Sequence, residues 1–190
     1  MPNRAAQPHS SGNSALLIID MINRFDFDGG AALARAAQPV AERIAALKRR
    51  YHRAGAPVIY ANDNFMDWRA DFNELVALCS RSGERGADIA RLLAPGPTDY
   101  FILKPKHSAF LATPLPLLLS QLEARRLVIT GIAADSCILV SAQDAKMREF
   151  SVVVPPDCVA AQTAKRLEHA LAVLKGSLVA DLCQSTAISP

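Results

Sequence analysis

Short apolar runs without polar interruption, each followed by a longer amphipathic run, constrain this chain more than any other feature. The first, Ala15-Leu-Leu-Ile-Ile, ends abruptly at Asp20. Five apolar residues in a row leave no face for water, so residues 15–20 read as a strand covered on both sides. Residues 31–54 are Ala-rich and place Val40, Ile44 and Leu47 at helical spacing, with Gly55 just beyond as a stop. The alternation then repeats. Strands are predicted at 57–61, 100–103, 127–130 and 151–154, with a weaker sixth near 178–182. Helices are predicted around 88–93, from about 114 to 124, and at 138–149 and 162–175; residues 62–86 are polar with aromatics among them and receive no element. Strand-then-helix repetition implies right-handed crossovers, a mostly parallel sheet of about six strands, and helices on both faces. No composition shift divides it, so the reading is one α/β domain over residues 15–190. The polar, Pro- and Ser-containing segment 1–14 reads as a flexible tail.

Bulk properties narrow the function classes. With 190 residues, 51% of them hydrophobic and 21% charged, the chain has the make-up of one globular domain rather than a disordered one. The net charge of +3 is spread out. Its basic clusters, Lys48-Arg49-Arg50 with Arg53 and Arg125-Arg126, fall at predicted helix ends, where cations complement the helix dipole; no nucleic-acid partner is expected. The first segment lacks the apolar core of a signal peptide and no run is long enough to span a bilayer, so a cytoplasmic protein without a membrane partner is expected. Cys79, Cys137, Cys158 and Cys183 are far apart and form no CxxC pair, which suits free thiols. No Gly-x-Gly-x-x-Gly turn follows the first strand, which removes a dinucleotide reading.

In open parallel sheets, ligands bind beyond the carboxyl ends of the strands. That rule selects Asp20 after the first strand, Lys104 after the third, and Cys137 a short loop beyond the fourth. A cysteine at the start of a helix feels unpaired N–H groups and the positive dipole end, which favour thiolate and can receive an oxyanion. The alternative is a small buried hydrophobe, the usual fate of a free cysteine. Cys158 and Cys183 lack such a setting, and Cys79 stays open. A carboxylate closing an apolar strand must be solvated or paired. Beside a thiol, Asp20 would accept its proton and return it to a leaving amine; otherwise it caps the next loop. An ammonium between the two would favour thiolate and keep the carboxylate charged. Lys104 and Lys106 share strand parity, so geometry alone does not separate them, and either is otherwise a surface lysine.

With these residues in place, the chain resembles the isochorismatase-like cysteine hydrolases from about Leu16 to Ala161. The resemblance rests on the apolar strand ending in Asp20, on Leu103-Lys-Pro-Lys-His-Ser-Ala-Phe110, on Val128-Ile-Thr-Gly-Ile-Ala-Ala-Asp-Ser-Cys137, and on Val154-Pro-Pro-Asp-Cys158. It implies a three-layer α/β/α fold and a catalytic triad of Asp20 as base, Cys137 as nucleophile and Lys104, rather than Lys106, as their electrostatic partner. It also implies a cis peptide between Ile132 and Ala133 that turns the Ala133 N–H toward an oxyanion beside that of Cys137. The implied reaction is hydrolysis of an amide or ureido C–N bond in a small molecule through a thioester, with no cofactor, in a homo-oligomer (dimer or tetramer).

One departure is informative. Nicotinamidases of this superfamily bind a metal through Asp-x-His and a further histidine after the second strand. Here the segment reads Ala61-Asn-Asp-Asn-Phe65, with Asn64 at the first histidine's place and no histidine between Ala54 and Lys106. No metal site is therefore expected, nor nicotinamide as substrate. The subgroup acting on isochorismate lacks the cysteine, so Cys137 argues against that chemistry. Asn23, Phe25 and Phe27 follow the first strand, and Phe65, Trp68 and Arg69 the second, all at the ligand edge. Aromatic walls with Arg69 or Arg24 would suit a flat amide bearing a carboxylate, while Phe25 and Trp68 serve equally as packing. His107 either meets the substrate or belongs to a turn. Two other classes stand beside this one: a hydrolase of the same fold acting on an ester or imine, and a non-catalytic binding or scaffold protein, against which the triad counts.

Overall fold

The computed structural model describes residues 13–65, 69 and 71–190, so most of the predicted tail, and Trp68, lie outside the described residues. Strands β1 (Ser14–Ile19), β2 (Val58–Asp63), β3 (Tyr100–Lys104), β4 (Arg126–Ile132) and β5 (Ser151–Val153) lie in the order β3-β2-β1-β4-β5, and β6 (Val159–Ala160) pairs with β4. Every pairing is parallel. Central β1 is buried along its whole length. Its side chains alternate: Leu16 and Ile18 join one core cluster, and Ala15, Leu17 and Ile19 the other. An uninterrupted apolar run is what a strand with two covered faces requires.

Helices α1 (Gly30–Arg53), α2 (Phe72–Cys79) and α3 (Ala87–Leu92) cover the first face, contributing Leu33, Ile44, Phe72, Leu75 and Ile89. Helices α4 (Leu115–Gln121), α5 (Leu139–Met147) and α6 (Ala164–Gly176) cover the second with Leu115, Leu119, Ala142, Ala145 and Leu174. Pro39 lies inside α1 on its exposed side, so the helix loses a hydrogen bond there without losing its buried stripe of Val40, Ile44 and Leu47. Among the described residues no helix is long and apolar enough to cross a membrane.

Two elements differ from the sequence expectation. Helix α2 forms within the polar stretch because Asp71 and Glu74 close a capping box, with Asp71 accepting the Glu74 N–H at 2.9 Å and Glu74 accepting the Asp71 N–H at 3.0 Å. The Asp-x-x-Glu signal was present, and Phe72, Leu75 and Cys79 supply the buried face. The sixth strand is β6, whereas the stretch near 178–182 contributes only a bridge from Asp181 to Val153. Val179 there takes a positive φ of 51° and is exposed, which breaks strand periodicity. Pro155 and Pro156 end β5, and the chain re-enters the sheet beside β4 after the 3-10 turn Pro156–Cys158.

The strand order reverses at β1, which has β2 on one side and β4 on the other. That places the ligand crevice beyond the carboxyl ends of β1 and β4. Gly131 lets these ends close up: at φ +115°, a Cβ there would come within 2.1 Å of the Ile19 carbonyl oxygen.

Candidate active site

Asp20 is the residue after β1, in a left-handed backbone conformation (φ 54°) that Asp tolerates better than most residues. Its Oδ1 accepts the Asp63 N–H at 2.7 Å, and its Oδ2 lies 2.8 Å from Lys104 Nζ. Asp63 and Lys104 are direct partners across β2 and β3, so sheet register brings both to Asp20. Lys104 is completely buried, and its ammonium lies 3.6 Å from Cys137 Sγ, 3.3 Å from the Lys106 carbonyl and 3.9 Å from Asp63 Oδ2. Lys106 itself is exposed, so the structure brings together Asp20, Lys104 and Cys137. Cys137 sits within a π turn, Ala134–Ile138, that leads into α5; the helical path thus begins earlier than Ile138. Asp20 and Cys137 thus flank one ammonium, and the Asp20 carboxylate acts on the thiol electrostatically.

Three buried side chains hold the flanking loops. Asn62, fully buried, accepts the Ile22 N–H at 3.3 Å and donates to the Ile22 carbonyl at 2.7 Å, fixing the backbone just after Asp20. Ser108 bonds to Asp144 on α5, and Ser141 accepts the Ala109 N–H at 2.9 Å, which ties down the segment after Lys104.

A cleft of about 390 Å³ opens over Cys137. Asn23, Phe65, Ile132 and Ala133 line it, and the Ile132–Ala133 peptide is cis. His107 is also in the wall, with Nδ1 3.6 Å from Cys137 Sγ. Phe25 is a correction: it lies wholly in the core, its N–H bonded to Asn23 Oδ1 at 2.7 Å and its carbonyl to Arg85, so it cannot reach a ligand. Arg69 is exposed and does not line the cleft. Arg24 is engaged away from the cleft by Glu84 and Asp26, each at 3.0 Å. The guanidinium in the cleft wall is Arg166 of α6, with Gln162 just before the helix and Asp135 in the π turn; sequence reasoning missed all three. Arg166 Nε lies 2.8 Å from Asp135 Oδ2. Only Asp135 carried a signal, its place two residues before Cys137. Asn64 is buried at the end of β2, and among the described residues no three His, Cys, Asp or Glu side chains converge as metal ligands would.

The isochorismatase-domain family pattern matches residues 14–187. The chain belongs to the isochorismatase family. It is 42% identical over 173 residues to the isochorismatase family protein YaaI of Bacillus subtilis, covering 91% of this chain and 94% of that one. It is 29% identical to the ureidoacrylate amidohydrolase RutB of an Enterobacter species, over 76% of this chain and 74% of that protein. The crystal structure of an isochorismatase family protein from Desulfovibrio vulgaris superposes with a TM-score of 0.75 at 27% identity, covering 92% of this chain and 95% of the other.

In this isochorismatase-family site, burial dominates the electrostatics. It raises the Asp20 carboxyl above its ordinary range, against the Lys104 ammonium, the Cys137 thiol and the Asp63 N–H. Burial first, and the Asp20 carboxylate second, push the Cys137 thiol up to about 12 despite Lys104. Burial works against the Lys104 ammonium too, but Asp20, Cys137 and Asp63 together outweigh it and hold its pKa above the usual value. Burial thus disfavours the charged forms of the thiol and the carboxyl, while their proximity favours the ammonium between them. Desolvation of Cys137 therefore acts against the thiolate that a helix start and a neighbouring lysine favour. A base poised on a thiol, under an apolar-walled cleft, is equipped for proton transfer coupled to nucleophilic attack. Cys79 and Cys158 are also buried thiols pushed up to about 12, chiefly by burial, and their side chains belong to the first core cluster.

Proposed function

We propose that this isochorismatase-family protein is a cysteine hydrolase that cleaves an amide or ureido C–N bond of a small molecule through a thioester on Cys137. One observation carries the reading: a fully buried ammonium, Lys104, lies 2.8 Å from a carboxylate and 3.6 Å from a thiol at the floor of a cleft. Asp20 takes the thiol proton as Sγ adds to the carbonyl carbon. The raised basicity of the Asp20 carboxylate narrows the gap to the thiol it must deprotonate. Backbone N–H groups of Ala133 and Cys137, both at the cleft wall, receive the oxyanion. Asp20 then returns its proton to the leaving nitrogen, the C–N bond breaks, and ammonia or an amine departs. Water adds to the thioester with its proton going to Asp20, the C–S bond breaks, and the thiol recovers that proton. Lys104 stays charged throughout, offsetting whichever of the carboxylate and the sulfur is anionic. The relative named ureidoacrylate amidohydrolase supports a ureido or amide substrate class. All four cysteines are free thiols, which fits a reducing compartment such as the cytoplasm.

The test is ammonia release from a panel of small amides and ureido acids, with intact-mass detection of the acyl-enzyme. We expect turnover of at least one panel member and a mass increment that disappears in Cys137→Ala. Ammonia release that persists in Cys137→Ala, or turnover confined to esters, would overturn the reading.

A further inference from the structure

The charges around the cleft are unevenly placed. Asp20 and Asp63 come from the ends of β1 and β2, on the side where Lys104 already serves Asp20. Asp63 Oδ1 is occupied by the Phe65 N–H at 2.7 Å, and its Oδ2 is 3.9 Å from the ammonium, so this side of the cleft carries one carboxylate more than it has cations. On the other side, beyond β4, Arg166 projects from the first turn of α6, and α6 packs against the π turn that holds Cys137. The Arg166 head is gripped at two of its nitrogens: Nε by Asp135 at 2.8 Å, and Nη1 by the Gln162 side-chain oxygen. Gln162 in turn donates to the Asp28 carbonyl at 3.4 Å, linking α6 to the loop after β1. Nη2 makes no hydrogen bond among the described residues. A guanidinium fixed at one edge and open at another, in a cleft wall, is preorganised for an anionic group.

We infer that Arg166 is a specificity-determining residue that takes the carboxylate of the substrate, which makes the substrate class a small ureido or amide acid rather than a neutral amide. Repulsion from Asp63 and attraction to Arg166 act in the same sense. They turn the anionic end toward α6 and leave the uncharged carbonyl end over Cys137. Asp135 already neutralises part of the guanidinium, so the preference for an acid is moderate rather than overwhelming. Which bond then breaks rests on the thioester reading above; the binding of the acid does not.

The experiment therefore separates the two. In the Cys137→Ala protein, where no thioester forms, calorimetry measures binding of N-carbamoyl-β-alanine against its uncharged counterpart, n-propylurea. We expect the acid to bind about 10-fold more tightly, the scale of one charge-assisted hydrogen-bonded pair. Arg166→Gln should erase that preference while leaving n-propylurea binding unchanged, and Arg166→Lys, a charge without the fork, should retain part of it. Equal binding of the two compounds by the Arg166-containing cleft overturns the inference, as does a preference that survives Arg166→Gln. An equal loss for both compounds in Arg166→Gln would assign Arg166 to holding the Asp135 turn, and likewise overturns it. Acid-selective binding without ammonia release from any panel member would sink the thioester reading and leave the anchor standing.

Discussion

Two lysine–aspartate pairs are packed into this molecule with nearly equal geometry, Lys104–Asp20 at 2.8 Å and Lys48–Asp99 at 2.9 Å. They lie at opposite ends of the sheet, since Asp99 precedes β3 while Lys104 ends it. At the Lys48 end every ammonium hydrogen has an oxygen to meet: Tyr60 Oη at 2.8 Å, the Ala94 carbonyl at 2.7 Å, and Asp99. Asp99 also accepts the Gly96 N–H at 2.7 Å and lies 2.5 Å from His52 Nε2. Burial raises its carboxyl, but the Gly96 N–H, Lys48 and His52 outweigh that and hold it below the ordinary range. At the Lys104 end the ammonium meets Asp20, the Lys106 carbonyl at 3.3 Å and, in place of a third oxygen, a thiol, and burial prevails, so Asp20 is raised. The same two residue types thus make an all-oxygen clasp in one place and a sulfur-containing site with a raised carboxyl in the other. What separates them is the third partner and the presence of a cleft above it.

The largest effect that would break this contrast is on turnover. Cys137→Ser and Asp20→Asn should each lower kcat/KM for C–N hydrolysis by at least about 1,000-fold, as expected when a nucleophile or its base is removed. Lys48→Met should leave kcat/KM per folded molecule within about threefold of the unsubstituted protein. A comparable loss in Lys48→Met, in the same ammonia assay, would erase the distinction between clasp and site. Next in size is stability. Lys48→Met strands a carboxylate whose side chain is only 1% exposed, and should cost about 3 kcal/mol in urea unfolding, the scale of breaking a buried pair from one side.

How much of this contrast was readable beforehand depends on what each residue's role rests upon. Asp20, Lys104 and Cys137 were legible because a strand covered on both faces must be apolar, so a charge or a thiol at its carboxyl end announces the ligand edge. The Lys48–Asp99 clasp was not, because Lys48 lies on a helix among other basic residues, and only packing reveals that its head turns inward to Tyr60. Phe25 failed for a related reason. Residue type suits a cleft wall and a core equally, and the left-handed turn at φ 55°, held by Asn23 and Arg85, sends it to the core. Arg166 reaches the cleft from a helix far along the chain, through the packing of α6 on the π turn, which no local pattern encodes. The upward push of burial on the thiol was likewise hidden, since it depends on how completely the fold excludes water.

The smallest expected effect has a sign that tells the two pairs apart. A carboxyl held below its ordinary pKa is ionised in the native state while the unfolded chain still binds protons, so its stabilisation is fully present above the ordinary carboxylate range. It is lost as pH falls through the lowered value. That is Asp99. Asp20 is raised, so the native state holds the proton more tightly, and stability declines as pH climbs from the ordinary carboxylate value through the raised one. Asp99→Asn should therefore cost about 1–2 kcal/mol at neutral pH and flatten the acid-side loss, because the clasp forfeits its charge-assisted bonds. Asp20→Asn should remove the decline with rising pH and leave neutral-pH stability unchanged or slightly higher, with Asp63 at 3.9 Å remaining as a counterion for Lys104. Urea titrations at a series of pH values between the carboxylate range and neutrality measure both slopes. If the two substitutions change the pH dependence in the same sense, the pairs do not differ in the way their surroundings require. If the slopes part as described, the desolvated carboxyl that costs the fold stability is the one placed to take a proton from Cys137.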